Sequence, residues 1–357
     1  MAAFPTEQFW PAVLDDCDVD GLGNPTAGCP EGLAGCQFLQ IGNSPLKSYA
    51  LIGAAGYIAP RHMRAIAETG GNLVAAYDPN DSVGILDSHF PDAQFFVGFE
   101  EFDQHIDQLR RRGEKIDYAA ICSPNHMHEP HCSYAMRAGA DAICEKPLAL
   151  NPRDIDGLAE IEHDTGQRIF TILQLRLHPA IIALRDRLAK SNKRHKVELT
   201  YIASRGQWYH TSWKGDDRKS GGVATNIGVH FFDMLGFIFG NVSRNEAHLR
   251  ESERAAGSLE CERADVSWFL SIDRNDLPAS IRGKKSTFRS ISVDGEAIEF
   301  SEGFTDLHTR SYEEIIAGRG FGLDEVRTSI DIVSKFRDLP VVKTNGVHPF
   351  AIKASRA

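Results

Sequence analysis

The stretch SYALIGAAGYIAPRHMRAIAETGG, residues 48–71, decides the fold. SYALI is a short apolar run that enters a glycine turn, and PRHMRAIAETGG then carries apolar residues at helical spacing and closes on glycines, as helix C-termini commonly do. A dinucleotide-binding strand–turn–helix needs one glycine for the tight turn, one for close approach to a pyrophosphate, and a small residue where helix packs on strand. Gly53, Gly56 and Ala59 fill these roles, with one extra residue between the two glycines. Tyr57 and Ile58 then stand at the start of the helix, where backbone N–H groups face a phosphate. The rival reading is a tight turn that holds no ligand.

The next strand, NLVAAYDPND (72–81), strengthens the first reading. It ends at Asp78, roughly twenty residues beyond Gly56, where a carboxylate bonds the ribose hydroxyls of the adenosine half. A 2′-phosphate would be repelled there, so NAD is expected rather than NADP. A plain turn-forming aspartate is the alternative.

Working outward, strands and helices alternate. Residues 96–115 carry a helix, 116–128 a strand and loop, 129–140 a helix, 141–150 a strand, 151–166 a capped helix and 167–179 a strand. Such alternation predicts an α/β fold with a doubly wound parallel sheet. After about residue 180 the runs KVELTYIASRG, RADVSWFLSID and RSISVDGEAIEF alternate in the strand manner, and Asp294-Gly295 signals a hairpin. This half is expected to be a second α/β domain on a mostly antiparallel open sheet. The expected boundaries are a loose Gly- and Pro-rich leader over 1–46, a Rossmann domain over 47–170, a substrate and oligomerisation domain over 171–339, and a tail over 340–357.

Composition narrows the class. Apolar residues make up 42% and charged residues 25%, as in globular proteins. No apolar run approaches the ~20 residues of a membrane span, and the N-terminus lacks a secretory pattern, so a cytoplasmic enzyme without a membrane partner is expected. A net charge of −10 argues against nucleic acid as a partner. Seven scattered cysteines, none in a CxxC pair, read as reduced thiols with no metal site. Cys122 and Cys144 end apolar runs and read as small buried hydrophobes.

Two stretches carry the chemistry. ICEKPLAL (143–150) places Glu145, Lys146 and Pro147 at the end of a late parallel strand, and ligands in such sheets sit beyond the carboxyl ends of strands. Lys146 is therefore expected to face the cofactor crevice. Ser123, Asn125 and His128 end the preceding strand on the same side, lining the cofactor or capping the next helix. SGGVATNIGVHFFDML (220–235) leads into a helix on which Asn226, His230 and Asp233 share one face by spacing. A satisfied core histidine is the bland reading of His230.

Together these residues resemble the Gfo/Idh/MocA oxidoreductase family, over roughly residues 48–335. The chain departs from that family's pattern in having Asn226 where an aspartate is usual. Within the family it is similar to the bacterial UDP-N-acetyl-2-amino-2-deoxyglucuronate (UDP-GlcNAcA) 3-dehydrogenases of surface-polysaccharide (lipopolysaccharide, O-antigen) synthesis. The stretches ALIGAAGYIAPRHMRAI, ICSPNHMH, ILQLRLHPAIIALRD, SRGQWYHTSWKGDDRKSGGVATNIGVHF and GFTDLHTRSYEEIIAGRGFG carry this likeness. It implies oxidation of the sugar C3 hydroxyl by NAD, with 2-oxoglutarate as a candidate for recycling the cofactor in place. It also implies a homo-oligomer, often a tetramer, with an exposed face of the second sheet as a candidate interface. The residues it implies are Lys146 and His230 for catalysis, Asn226 and Glu145 in support, and Gln174 among the cofactor contacts.

Oxidising an alcohol needs a hydride acceptor and a base, and Lys146 and His230 are the two candidates for the base. A substrate with a diphosphate and a carboxylate also needs cations on an acidic protein. The segment before the helix supplies Arg205, Lys214, Arg218 and Lys219, with Trp208, Tyr209 and Trp213 able to stack on uracil or sugar. A solvated loop whose charges pair with Asp216 and Asp217 is the rival. Arg176, His178, Tyr312 and Arg319 are weaker candidates. A dehydrogenase of a free polyol, an NAD-dependent glycosidase and a non-catalytic sensor are the competing functions.

A free lysine, with a pKa of ~10.4, is a poor base near neutrality. Asn226 withholds a carboxylate partner that would raise it further. Asn226→Asp is expected to move the acid limb of kcat/KM against pH upward, and an unmoved limb rejects this role.

Overall fold

A computed structural model describes residues 46–298, 306–342 and 347–354. Apart from Leu46, the leader expected over 1–46 lies outside the described residues. The first sheet contains β1 (Ser48–Ile52), β2 (Asn72–Tyr77), β3 (Gln94–Phe96), β4 (Tyr118–Ile121), β5 (Asp141–Cys144) and β6 (Ile169–Thr171). Their order is β3-β2-β1-β4-β5-β6, and every pair is parallel. Parallel strands carry helices on both faces, so their side chains are buried both ways. All four residues of β4 and the last three of β5 are buried accordingly. The strand order reverses between β1 and β4, which opens a crevice at their carboxyl ends. The helix Ala59–Glu68 starts there.

The second sheet contains β7 (His195–Ala203), β8 (Val242–Arg250), β9 (Arg254–Cys261), β10 (Ala264–Ser271), β11 (Thr287–Val293) and β12 (Glu296–Ala297), in the order β12-β11-β7-β10-β9-β8. Only β7 and β10 run parallel. The expected hairpin turn stands at Asp294-Gly295, with φ of 53° and 85°. Two left-handed residues match the twist of a two-residue hairpin, and Asp and Gly tolerate that conformation best. The helix Val229–Phe239 covers this sheet and is apolar on nearly every side. Trp268 of β10 packs between Phe232 and Phe336, each ring centroid 5.0 Å away.

The chain after β12 does not stay with the second sheet. The helix Leu307–Ile316 lies on the nucleotide-side helix Ala59–Glu68, tied by Tyr312 to His62 at 2.7 Å and by Thr309 to Glu68 at 2.5 Å. The helix Leu323–Asp338 packs against both Pro152–Thr165 and Val229–Phe239. Both late helices thus pack on helices that precede residue 170 in the chain.

One buried ion pair fixes the helix Val229–Phe239. Arg176, just after β6, donates to both oxygens of Asp233 at 2.7–3.2 Å and to the Glu325 carbonyl at 2.8 Å. The two side chains are 12% and 2% exposed. Removing one partner of such a pair strands the other charge in low dielectric. Arg176→Leu is expected to lower unfolding free energy by about 3–5 kcal/mol, and Arg176→Leu/Asp233→Leu to recover much of it, as read by urea denaturation. A loss under about 1 kcal/mol in the single variant contradicts this.

Candidate active site

The glycine turn has the conformation the sequence demanded. Gly53 has φ +95°, and a Cβ there would stand 2.6 Å from the Cys122 carbonyl carbon at the end of β4. Only glycine lets the two strand ends approach this closely. Gly53 N–H and Ala54 N–H donate to the Tyr77 carbonyl, and Gly56 N–H donates to the Gly53 carbonyl. Among the described residues, no acceptor meets the backbone N–H of Tyr57 or Ile58. Two free donors at the start of a ten-residue helix suit a pyrophosphate. The Tyr57 side chain projects outward. Asp78 is buried. Its Oδ2 accepts from Ala55 N–H at 3.0 Å, and its Oδ1 accepts from Asn80 N–H and Nδ2. The carboxylate thus braces the turn and keeps lone pairs for a ribose hydroxyl.

The loops after β4 and β5 are bolted together below the crevice. His128 is buried, with Nδ1 2.6 Å from the Pro147 carbonyl and Nε2 2.8 Å from the Ser123 carbonyl. Burial lowers its pKa, while the two carbonyls act in the opposite sense. Both ring nitrogens of His128 lie against backbone carbonyls, which ties the two loops together at the crevice floor. The Ser123 hydroxyl meets His131 Nδ1 at 2.9 Å, and burial takes the His131 imidazole down to about 4. Asn125 caps no helix. Its Nδ2 donates to the Ser220 carbonyl at 2.9 Å and to Asn226 Oδ1 at 3.3 Å, which ties the nucleotide sheet to the second half of the chain.

Lys146 follows, joined to Pro147 by a cis peptide bond. The half-buried Lys146 side chain has no hydrogen-bond partner among the described residues. Burial pushes its pKa down, the Glu145 carboxylate raises it, and the charges of Arg205 and Arg61 lower it again. His230 stands close enough to feel this ammonium. Burial first, then the Lys146 charge, hold the imidazole pKa well below its usual value. His230 Nδ1 is buried with no hydrogen-bond partner. Two bases whose charged forms disfavour each other share the crevice mouth.

Glu145 points the other way, into the protein. Its Oε1 accepts from His62 Nε2 at 3.1 Å and His308 Nε2 at 2.9 Å, and its Oε2 from the Lys146 N–H at 3.3 Å. Burial alone would raise its pKa, but the hydrogen bonds from His308 and His62 bring it well below the usual carboxylate range. Their ligand-type atoms lie within 4.8 Å of one another, the one such cluster among the described residues. Sequence reasoning missed His62 and His308. The only signal was a histidine set among apolar residues on the inward side of each helix.

The polar stripe expected on one helix is broken. Asn226 ends a short helix, Gly222–Asn226, and His230 opens the next at Val229–Phe239. Asp233 turns to Arg176, so it is a core ion pair and lines no cleft. Asn226 Nδ2 donates to the Tyr209 hydroxyl at 2.7 Å. Tyr209 is 2% exposed, so it supports the loop beneath rather than stacking on a ligand.

Above it, the Lys214 ammonium lies 4.2 Å from the Trp213 ring centroid and 5.7 Å from that of Trp208, which is exposed. Burial, then Arg205 and Lys146, lower the Lys214 pKa. Arg205, Lys214, Lys146 and Arg61 therefore form one cationic mouth. Lys219 is exposed beyond it. Arg218 is paired with Asp216 at 3.0 Å, which favours the solvated-loop reading at that residue. Three weaker candidates are committed elsewhere: Tyr312 is buried on His62, His178 caps the helix Pro179–Leu188, and Arg319 pairs with Glu314. Gln174 lies just past β6, at the carboxyl end of the sheet.

The position of Asp78 gives a direct check. Asp78→Ala is expected to reduce the NAD/NADP ratio of kcat/KM at least about tenfold, or ~1.4 kcal/mol. An unchanged ratio refutes its ribose role.

Residues 47–172 match the model of the oxidoreductase family with an NAD-binding Rossmann fold, and residues 194–330 match the model of that family's C-terminal alpha/beta domain. The WlbA (WbpB) dehydrogenase of Thermus thermophilus, solved with NAD and alpha-ketoglutarate, is 51% identical with a TM-score of 0.83, over 85% of this chain and 100% of that one. A second structure of that enzyme, with NAD and UDP-GlcNAcA, is 50% identical over the same shares, also at a TM-score of 0.83. Among curated relatives, a putative UDP-kanosamine synthase oxidoreductase subunit of Amycolatopsis mediterranei is 24% identical over 63% of this chain and 67% of its own. An inositol 2-dehydrogenase of Rhizobium meliloti is 26% identical over 54% of each, so the chain spans about half of that relative's length. With both domains matched in order, and half of all residues shared across the full length of a solved dehydrogenase, the chain belongs to the Gfo/Idh/MocA oxidoreductase family.

Proposed function

We propose that the protein oxidises the C3 hydroxyl of UDP-GlcNAcA to a ketone with NAD. The observation that carries this reading is that Lys146, just past β5, and His230, at the start of the helix Val229–Phe239 with its buried Nδ1 unpartnered, stand within reach of one another's charge. The cationic mouth of Arg205, Lys214 and Arg61 suits a diphosphate and a carboxylate, with Trp208 and Trp213 beside it for a ring. The substrate itself follows the likeness to the Thermus thermophilus enzyme.

Bound NAD supplies the hydride acceptor. The free N–H groups of Tyr57 and Ile58 would hold its pyrophosphate and Asp78 a ribose hydroxyl. The sugar then lies with its C3 hydroxyl between Lys146 and His230. As the C3–H bond gives up its electron pair, the hydroxyl proton passes to the lone pair of neutral Lys146 Nζ, which becomes the ammonium. His230 stays neutral, since burial and the growing lysine charge both oppose its protonation, and it holds the hydroxyl in line. With 2-oxoglutarate as the recycling oxidant, its keto carbon would take the hydride held by the cofactor and its keto oxygen the proton held by Lys146, leaving a 2-hydroxy acid. The finer points of this reading are a cytoplasmic homotetramer that serves surface-polysaccharide (O-antigen) synthesis. They rest on the family resemblance, together with the fact that no single described helix is long and apolar enough to cross a membrane.

The test is incubation with NAD, 2-oxoglutarate and UDP-GlcNAcA, followed by mass analysis of the nucleotide sugar. Loss of two hydrogens with UDP retained is the expected result. Free UDP would indicate glycosidase chemistry, and oxidation of inositol but not of the nucleotide sugar would indicate a polyol dehydrogenase. Either one contradicts the proposal.

A further inference from the structure

The reaction described above uses Lys146 but not the group behind it. Glu145 is buried, carries the next side chain in the chain, and meets two histidines from helices far apart in sequence. An ionised carboxylate only accepts hydrogen bonds, so both Nε2 atoms must carry protons. With Nε2 donating, the neutral His62 ring accepts at Nδ1, and the Tyr312 hydroxyl donates to it at 2.7 Å. The network is then complete with one net negative charge. A cation among the three groups would need both Nε2 atoms as lone pairs. That would turn the His62 ring into a donor toward Tyr312 and leave the phenol proton without an acceptor among the described residues. Hydrogen bonding, not metal ligation, satisfies the cluster.

We propose that His62 and His308 are positioning residues of the reaction: by both donating to Glu145 Oε1 they keep a negative charge buried behind Lys146, and that charge sets how tightly the lysine holds the substrate's proton. This rests on the sugar-oxidation reading above. The surroundings leave the task to Glu145. From the glycine-turn helix comes Arg61, from the loop after β7 come Arg205 and Lys214, and from the helix Val229–Phe239 comes His230. Each of these opposes a charged lysine or is opposed by it. From the loops and helix nearer the sheet come the Cys122 and Cys144 thiols and His128, and these also feel the Glu145 charge. Glu145 is the anion that acts against the cations. Without it, burial and the positive neighbours would leave the lysine neutral over a wider pH range, but as a weaker base that holds the substrate's proton less tightly.

The sign follows directly. Neutral lysine is the base, so kcat/KM for sugar oxidation falls on the acid side as Lys146 protonates. Loss of the Glu145 charge lowers the lysine pKa and moves that limb to lower pH. Loss of one donor to Glu145 makes the carboxylate easier to protonate and moves the limb the same way by less.

The experiment measures kcat/KM for UDP-GlcNAcA against pH for the wild type, Glu145→Gln, His308→Leu and His308→Gln. NADH binding, followed by fluorescence, reports on each folded site. The expected acid limb of Glu145→Gln lies about one pH unit lower, tenfold in proton affinity. His308→Leu shifts the limb in the same direction by less. His308→Gln restores an N–H donor and returns the limb close to wild type. An unmoved or raised limb in Glu145→Gln overturns the proposal. If that variant does not fold, equal shifts in His308→Leu and His308→Gln overturn it instead, because a merely structural role does not distinguish a donor from its absence. A wild type that oxidises no nucleotide sugar refutes the underlying reading, and this is seen before any variant is compared.

Discussion

A buried carboxylate must be met by donors, because an unpaired charge in the interior costs several kcal/mol. Glu145 imposes that demand at the end of β5, and the chain meets it from three places. His62 comes from the helix that opens on the glycine turn, His308 from a helix more than 160 positions downstream, and the third donor is the Lys146 backbone. Meeting it brings the helix Leu307–Ile316 back across the second sheet's territory onto the nucleotide side. Lys146, next in the chain after Glu145, follows β5 at the carboxyl end of the sheet, where the glycine turn also stands.

The electrostatics of the site run against those of the whole. The chain carries a net charge of −10, yet Lys146, Lys214, Arg205 and Arg61 gather at one mouth. Clustered cations with low-dielectric walls attract anions, and they also depress one another's proton affinity. A single arrangement therefore serves two ends. It offers a place for phosphate and carboxylate, and it brings a lysine toward the range in which it can act as a base.

Much of the fold was legible because strand and helix periods are local. The parallel sheet, the glycine turn with Asp78 and the Asp294-Gly295 hairpin follow from short-range patterns, whereas β3 and the helix Leu86–His89, three and four residues long, were too short to leave a period. Lys146 follows β5 and His230 stands at the start of the helix Val229–Phe239, as the local sequence context indicated. What remained hidden depends on contacts across long sequence separations. Asp233 keeps helical spacing with His230 but answers to Arg176, and no local pattern shows that. The break at Ile227 and Gly228 moved Asn226 off the expected face, towards Tyr209 and Asn125. His128 follows a strand end, and no local pattern shows that its ring lies between the Pro147 and Ser123 carbonyls. The segment 205–219 was read by residue type alone, which does not show that Arg218 pairs with Asp216.

The most direct measurement is a crystal structure of the protein with NAD and UDP-GlcNAcA bound. The C3 oxygen is expected within about 3.2 Å of both Lys146 Nζ and a His230 ring nitrogen, with C3 about 3.5 Å from the nicotinamide carbon that takes the hydride. A sugar that presents another hydroxyl to the nicotinamide, or a Lys146 turned onto the diphosphate, would contradict this expectation.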